Sequence, residues 1–328
     1  MTGSPSTHPT GQAFGMSAPL PPPRTAVVDA VTRALAEDLE PLGDVTSSLL
    51  PADLVATARF VVRVDGVIAG CDCVTETYAR LDPSVSVAWS VADGEAVVAG
   101  TELATVTGPL PSLLTGERTA LNLLGHLSGI ATTTAAFVAA ARAGGSAQVW
   151  DTRKTTPGLR ALEKAAVRAG GGRNHRGNLS DWILLKDNHI ALYGIADAVA
   201  RARAMWPAKT VHVECDTIEQ VREALDAGAD ALLLDNMSPE QVRDCVAIVD
   251  VVAASARRPL VEASGGITLD TVAAYSAAGV DCISVGGLTN SSPVLDIGLD
   301  IQTGAATGAA TGAANDAAIA TDSGTGSD

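Results

Sequence analysis

Residues 210–236, TVHVECDTIEQVREALDAGADALLLDN, contain the pattern that decides the fold. A short apolar run ends at Glu214, an amphipathic stretch follows, and a second apolar run ends at Asp235. Nearly continuous apolar runs are typical of strands that are buried on both faces. A helical stretch between two such runs indicates a βα unit of a parallel sheet.

The same unit recurs through the second half of the chain. The predicted strands begin at residues 148, 182, 210, 231, 260 and 282, so successive starts are 21 to 34 residues apart. Their ranges are Gln148–Thr152, Trp182–Lys186, Thr210–Glu214, Ala231–Asp235, Leu260–Ala263 and Cys282–Val285. Strands and helices that alternate at this spacing predict a βα barrel of the α/β class. Because six strands are found where a complete barrel has about eight, we expect an incomplete, six-stranded barrel.

The first part of the chain has a different pattern. Apolar spacing predicts a helix over residues 25–39, and residues 57–64 have the character of a strand that leads into Asp65-Gly66, a hairpin signal. A second Asp-Gly pair at residues 93–94 lies between two further apolar runs. We therefore expect a small, hairpin-built sheet with one or two helices over residues 24–118. Cys71 is expected at the end of a strand.

A long helical stretch opens the second domain. Residues 119–142 are predicted to form one helix or two joined helices, with Gly125 and Gly129 as weak points. The barrel domain is expected to extend over residues 119–302, with the alternative that its final segment packs back on the first domain. Residues 1–23 are rich in Pro, Ser, Gly and Thr, and we predict a disordered leader; residues 303–328 are predicted to be a low-complexity tail with nothing to bury.

Composition limits the classes of function. The 328 residues carry a formal net charge of −15, which argues against a general binder of nucleic acid or of anionic membranes. Hydrophobic residues make up 47% and aromatic residues 3%, so the core must be aliphatic. The five cysteines are scattered and suggest neither a disulfide framework nor a zinc site. No signal peptide and no apolar run of about 18 residues is recognised, and we expect a cytoplasmic protein.

Each predicted barrel strand ends in polar or glycine residues. The six strands end in Asp151 to Lys154, Lys186 to Asn188, Glu214, Asp235-Asn236, Glu262 to Gly266 and Ser284 to Gly287. In βα barrels the carboxyl ends of the strands line the mouth where chemistry occurs. Six polar strand ends therefore predict a functional site at that mouth.

A basic segment lies within this acidic chain. Residues 153–186 contain eight Lys or Arg and only two Asp or Glu, which suggests an anionic small ligand. Arg160, Lys164 and Arg168 have the spacing of a solvated helix face, and we leave them out of the predicted site. His175 lies in a glycine-flanked loop, where contact with a ligand is favoured over plain exposure.

Two glycine pairs follow the last two predicted strands. Gly265-Gly266 and Gly286-Gly287 allow a phosphate to approach the backbone, and barrels often bind phosphate in these late loops. Glu214 and Asp235 are acidic residues in a basic mouth. They are interpreted as holding a ribose hydroxyl, the shell of a Mg²⁺ ion or a developing positive charge, with ion pairing to a nearby arginine as the alternative.

Several of these strings together resemble the quinolinate phosphoribosyltransferases, a family of type II phosphoribosyltransferases. The strings are Gly116 to Asn122 (GERTALN), Asp151 to Arg160 (DTRKTTPGLR), Gly171 to Arg176 (GGRNHR), Lys186 to His189 (KDNH), Val213 to Asp216 (VECD), Leu234 to Asn236 (LDN), Glu262 to Ile267 (EASGGI) and Ser284 to Gly286 (SVG). The resemblance extends from about residue 25 to about residue 302 and leaves out both ends of the chain. It implies a small α/β sandwich domain followed by an incomplete βα barrel.

The resemblance also implies a reaction. The family joins quinolinate to phosphoribosyl pyrophosphate in the presence of Mg²⁺ and releases nicotinate mononucleotide, pyrophosphate and CO₂. Lys154, Glu214 and Asp235 match the family's catalytic residues, with Mg²⁺ held mainly by the substrate near the two carboxylates. A homodimer is implied, in which Arg118 reaches the neighbouring subunit's site. The substrate-binding set carried over from the family is Arg118, Thr152, Arg153, Lys154, His175, Arg176, Lys186, Glu214, Asp235, Ser264, Gly265, Gly266, Gly286 and Gly287.

Three alternatives remain open on the sequence alone. A related transferase could use a different nitrogen base, although the cluster of cationic residues favours a dicarboxylate. An aldolase could form a Schiff base on Lys154 or Lys186. A protein that binds phosphosugars without catalysis could share the mouth and release no pyrophosphate.

Overall fold

A computed structural model describes residues 19–253 and 257–302. The predicted tail, residues 303–328, and residues 1–18 of the predicted leader lie outside this described part. The last residues of that leader, 19–23, are described, and they run along the barrel domain, where the Arg168 guanidinium donates hydrogen bonds to the carbonyl oxygens of Leu20 and Pro21.

Helices and strands alternate through most of the described chain. The helices are α1 (Arg24–Leu39), α2 (Cys71–Leu81), α3 (Leu110–Gly144), α4 (Arg160–Ala169), α5 (Asp187–Tyr193), α6 (Ile195–Met205), α7 (Ile218–Asp226), α8 (Pro239–Ala253), α9 (Val272–Ala277) and α10 (Gly287–Asn290), with a short 3₁₀ turn at Ser47–Leu49. The strands are β1 (Val55–Val62), β2 (Gly66–Val67), β3 (Ser86–Trp89), β4 (Ala96–Val97), β5 (Glu102–Pro109), β6 (Gln148–Trp150), β7 (Ile183–Leu185), β8 (Val211–Cys215), β9 (Ala231–Asp235), β10 (Leu260–Ser264), β11 (Cys282–Ser284) and β12 (Ile297–Gln302).

The six barrel strands predicted from sequence are present as β6 to β11. They form one parallel sheet in the order β6-β11-β10-β9-β8-β7, so β6 and β7 are its two edges and the barrel is incomplete. The strands are buried almost throughout, which explains their continuous apolar sequences. The predicted fold class is confirmed. Since the strands are parallel, their carboxyl ends meet at one edge of the sheet and form one mouth.

The smaller sheet is antiparallel and has the order β12-β1-β5-β3. The predicted hairpins are wrong: β1 pairs with β5 and β12, and the strand after Asp65 pairs instead with β4. The Asp65 carboxylate accepts a hydrogen bond from the backbone N–H of Ala99, so this aspartate holds a loop that is distant in sequence and does not close a hairpin. The last strand of the chain, β12, lies in the first sheet, with Ile297 opposite Val62.

The long helix α3 begins nine residues before the predicted start at Thr119 and is continuous through Gly125 and Gly129. A proline at its second position, Pro111, suits a helix start. Its amino-terminal half packs into the core of the small domain through residues such as Leu124, and its other half packs into the barrel core through residues such as Ile130. Helix α3 therefore joins the two cores, and the boundary predicted at residue 118 falls inside it.

Helix α3 is the one helix in the described part that is long and apolar enough to cross a membrane, although 61% of its most apolar window is buried inside the protein. Its apolar side chains pack into the two hydrophobic cores. Gly129 shows how tightly it packs, because a β-carbon there would collide with the carbonyl of Pro293. The expectation for Cys71 is also wrong, since this residue begins helix α2.

Candidate functional site

The mouth of the barrel contains a cavity of about 550 Å³. Every barrel strand except β8 contributes lining residues, either from the strand or from the loop after it. The lining consists of Thr152, Arg153, Lys154, His175, Arg176, Leu184, Lys186, Leu233, Asp235, Glu262, Ser264, Gly265, Gly266, Ile267, Ser284, Val285, Gly286, Gly287 and Asn290. Twelve of the fourteen predicted binding residues are among them; Arg118 and Glu214 are not.

A buried ion pair holds the loop that carries His175. The Asp151 carboxylate is fully buried after β6 and pairs with the ammonium of Lys164 on α4. The same carboxylate accepts a hydrogen bond from the backbone N–H of His175 at 2.8 Å, and the Lys164 ammonium donates to the carbonyl oxygen of His175 at 2.9 Å. Burial raises the pKa of Asp151 and lowers the pKa of Lys164, while the attraction between the two charges opposes both shifts.

Asn174 extends this network towards the surface. Its side-chain amide donates to Asp151 at 2.6 Å and accepts from the Arg168 guanidinium at 2.5 Å. Arg160 donates to the carbonyl oxygen of Gly177 at 3.1 Å. The assignment of Arg160, Lys164 and Arg168 to a solvated helix face is therefore wrong. The i,i+4 spacing is real, but this face of α4 lies against the site loop and Lys164 is buried.

Three cationic side chains lie on the β6 side of the cavity. Arg176 is buried, and desolvation, with the nearby Arg153 as a second cause, lowers the pKa of its guanidinium. Lys154 is exposed in the cavity, and its aliphatic stem runs past Gly286, where an added β-carbon would come within 2.9 Å of Lys154 Cδ. The carbonyl oxygen of Lys154 accepts a hydrogen bond from the Thr289 hydroxyl at 2.7 Å. The lysine is thus fixed at its backbone while its ammonium remains in the cavity.

The glycine loop after β10 needs its glycines for conformation and for space. Gly265 has φ +90° and Gly266 has φ +59°, a region that residues with a β-carbon rarely adopt. A β-carbon on Gly265 would also collide with Asn236, which itself has φ 56°. The backbone of this loop therefore faces the cavity without side chains in front of it, which suits an anion of phosphate size.

Acidic groups lie at the β7–β9 side. Glu214, on β8, is buried and forms an ion pair with Lys186. Asp235 lines the cavity at the end of β9 and accepts a hydrogen bond from the Asn236 side chain at 2.6 Å. Asp235 thus faces the cavity directly, whereas Glu214 reaches it only through its cationic partner Lys186, which is a lining residue. Arg118 is exposed on α3 and, within the described residues, takes no part in lining this cavity.

Sequence reasoning missed several residues of the site. Glu262, Ser284 and Asn290 line the cavity, and Asp151 with Lys164 supports it from behind. Glu262 and Ser284 were visible as polar residues at strand ends, but no motif set them apart from their neighbours. In residues 19–253 and 257–302, no group of three or more His, Cys, Asp or Glu side chains is arranged to hold a metal ion.

Comparisons with known proteins agree with this architecture. The sequence profile described as "Quinolinate phosphoribosyl transferase, N-terminal domain" matches residues 44–128, and that of the corresponding C-terminal domain matches residues 130–300. A nicotinate-nucleotide pyrophosphorylase [carboxylating] of Mycobacterium leprae is 44% identical over 281 residues, which are 84% of this chain and 97% of that protein. A probable nicotinate-nucleotide pyrophosphorylase [carboxylating] of Bacillus subtilis is 42% identical over 261 residues, which are 79% of this chain and 88% of that protein.

A solved structure shows the same fold. The nicotinate-nucleotide pyrophosphorylase from Francisella tularensis superposes with a TM-score of 0.80 at 36% sequence identity, covering 85% of this chain and 97% of that one. The two family profiles together extend from residue 44 to residue 300, which includes the six barrel strands and all of the small sheet except the last two residues of β12.

Proposed function

The chain belongs to the quinolinate phosphoribosyltransferase family, and we propose that it transfers the phosphoribosyl group of phosphoribosyl pyrophosphate to quinolinate, with loss of CO₂, to give nicotinate mononucleotide. One observation carries the assignment to this cavity: five basic side chains converge there in a chain whose net charge is −15. They are Arg153, Lys154, His175, Arg176 and Lys186. A dicarboxylate is the class of small ligand that such a group binds best.

Quinolinate is proposed to lie on the β6–β7 side of the mouth. The guanidinium groups of Arg153 and Arg176 can each present two N–H donors to a carboxylate, which fixes the plane of the pyridine ring. Lys154 and Lys186 add compact positive charge from either side. Lys186 can do so only if it shares its ammonium between the substrate and Glu214, its partner in the free site.

The phosphoribosyl group is proposed to lie against the two glycine loops. Ser264, Gly265, Gly286 and Gly287 present backbone or hydroxyl groups to the 5′-phosphate, and Asp235 and Glu214 face the ribose. Carboxylates are suitable ligands for Mg²⁺, and Asp235 has no cationic partner among the ion pairs of the described residues. A Mg²⁺ ion bound with the substrate beside Asp235 and Glu214 would help to neutralise the charge of the departing pyrophosphate.

The reaction needs no covalent link to the enzyme. The bond from ribose C1 to the pyrophosphate oxygen breaks, and the carboxylates of Glu214 and Asp235 stabilise the positive charge that develops on C1. The quinolinate nitrogen forms the new bond to C1. The bond from ring C2 to its carboxylate then breaks, CO₂ leaves, and the electron pair that stays on C2 takes up a proton. Positioning and electrostatics account for most of the acceleration.

A coupled assay tests the reaction and the base together. We expect nicotinate mononucleotide, pyrophosphate and CO₂ from quinolinate with phosphoribosyl pyrophosphate and Mg²⁺, and no nucleotide when nicotinate replaces quinolinate, because nicotinate offers one carboxylate to a site built for two. Omission of Mg²⁺ with added chelator is expected to abolish turnover. Product from nicotinate but not from quinolinate would contradict the dicarboxylate assignment.

The enzyme is proposed to act as a homodimer in the cytoplasm, with Arg118 completing the partner's site. This proposal is supported by the exposure of Arg118 on α3, outside the cavity of its own chain. Two inactive variants test it: Arg118→Ala would lose the residue given to the partner, and Lys154→Ala would lose a residue of its own site. Random mixing of the two should restore about a quarter of the parent's activity, because about half of the dimers are mixed and each mixed dimer has one intact site.

The control for this experiment is each variant unfolded and refolded with itself, which should remain inactive. If the mixture is as inactive as its components although mixed dimers have formed, Arg118 acts within its own chain; an Arg118→Ala variant that is active by itself would show that Arg118 has no role.

A further inference from the structure

A buried carboxylate lies at the floor of the cavity without any role in the steps described above. Glu262, on β10, is 1% exposed, and neither of its carboxylate oxygens has a hydrogen-bond partner among the described residues. An ionised carboxylate in such a place is strongly disfavoured unless a positive charge compensates it. The Glu262 carboxylate also lines the cavity that is proposed to bind the quinolinate dianion. Its presence there needs a physical reason.

The groups that face Glu262 come from several elements. His175 Nε2, from the loop after α4, lies 3.4 Å from Glu262 Oε2, within ion-pair distance, and has no hydrogen-bond partner among the described residues. His212, on β8, is the second imidazole nearby, but burial lowers its pKa to about 4, so it is neutral at pH 7. The Arg176 guanidinium also interacts electrostatically with Glu262, and so does the buried Cys282 thiol on the neighbouring strand β11, where burial raises the pKa of the thiol and keeps it neutral.

Contacts to the backbone of His175 and contacts to its ring together hold the imidazole in place. Its backbone is fixed by Asp151 and Lys164, as described above. The indole of Trp182 packs edge-on to the His175 ring, with 4.8 Å between ring centroids, and stacks on the ring of His212 at 5.1 Å. The His175 ring therefore has little freedom to turn away from Glu262. A ring so fixed can keep one edge towards Glu262 while it presents a proton to the cavity.

We propose that Glu262 is a positioning residue that keeps His175 in its imidazolium form, so that the free site already has the positive charge that binds a carboxylate of quinolinate. The proposal rests on the proposed function, because it assigns His175 to the quinolinate half of that site. The pair carries no net charge before the substrate arrives, and so Glu262 adds no net repulsion for the dianion. Binding of quinolinate then requires no proton from solvent.

Replacement of Glu262 by Gln tests this reasoning. The variant keeps the size of the side chain but cannot compensate a cation, so quinolinate binding should then draw a proton from solvent, which is scarcer at pH 8 than at pH 6. We expect KM for quinolinate to rise about tenfold at pH 8, and to match or fall below the parent value at pH 6. KM for phosphoribosyl pyrophosphate should stay within about twofold.

Calorimetry of quinolinate binding, in buffers of different ionisation enthalpy at pH 8, measures the proton directly. The parent should take up close to zero protons, and Glu262→Gln should take up close to one. Glu163→Gln is the matched control, because Glu163 is also a fully buried carboxylate paired with an imidazole, that of His126, but lies outside the cavity. It should leave the proton count at zero. In a His175→Gln background, Glu262→Gln should change neither proton uptake nor KM further.

Nitrogen NMR of the parent enzyme without substrate gives a test that needs neither the variants nor the activity. Both ring nitrogens of His175 should carry protons at pH 7. A neutral His175 ring at that pH would overturn the proposal, and so would an unchanged proton count in a folded Glu262→Gln variant. If the parent shows a protonated ring but no turnover with quinolinate, the proposed function fails while the charge state of His175 stands.

Discussion

Lys154→Ala and Arg176→Met are each expected to lower kcat/KM by at least about 10²-fold to 10³-fold, the loss typical of removing one electrostatic contact to a developing or transferred charge. The reason differs between the two residues. Lys154 is exposed in the cavity, so its ammonium does not stabilise the fold of the free protein. Arg176 is buried and, within the described residues, donates no hydrogen bond, so its guanidinium is held ready for a ligand at a cost to the fold.

Stability measurements separate this loss of activity from misfolding. Lys154→Ala should leave the free energy of unfolding within about 0.5 kcal/mol of the parent. Arg176→Met should leave Tm unchanged or raise it, because the substitution removes a desolvated cation beside Arg153 and keeps the stem packed. Arg173→Ala is the matched control, since this exposed arginine lies three residues before Arg176 and outside the cavity. Near-normal turnover in both site variants would refute the assignments.

Lys164→Met is expected to lower the free energy of unfolding by about 3–5 kcal/mol, since it leaves the fully buried Asp151 carboxylate without its cation. The activity should fall as well, because Lys164 also holds the carbonyl oxygen of His175. Urea unfolding followed by circular dichroism gives the first quantity, and the coupled assay gives the second.

A second substitution identifies the cause. Asp151→Asn added to Lys164→Met removes the stranded charge but keeps an oxygen for the His175 N–H, so the double variant should regain part of the lost stability. Lys209→Met is the matched control: Lys209 is a half-buried lysine that donates to the backbone carbonyl oxygens of Ser180 and Asp181, the latter at 3.2 Å, and its loss should cost no more than about 1 kcal/mol. A single variant Lys164→Met as stable as the parent would show that the ion pair contributes nothing.

The barrel and its mouth could be predicted because both leave local signals. Strands such as Ala231–Asp235 are buried on both faces, so they appear as apolar runs that end in a polar residue at the sheet edge. The small sheet could not be predicted in the same way. The partner of β1 on one side is β12, more than 200 residues later, and no turn signal near Asp65 can report a pairing over that distance.

The residues that support the site could not be predicted from the sequence for a different reason. Lys164 has the spacing of a solvated helix face, and only the packing of α4 against the loop at residues 173–176 reveals that it is buried. Glu262 lies inside a run of otherwise apolar or small residues, where a polar strand end is visible but its neighbours His175 and His212 are not. Sequence gives the type of residue at a strand end; the partners that set its charge come from other elements.

The pairing of β12 with β1 has a consequence for synthesis on the ribosome. The strand β1 ends at Val62, and its neighbour begins at Ile297, so 235 residues separate them. At a translation rate of about 5–20 residues per second, β1 waits roughly 12 to 47 seconds for this partner. During that interval one edge of the first sheet is open to other chains. We therefore expect this enzyme to be most prone to aggregation while it is being made, and a chaperone that shields strand edges to improve its yield.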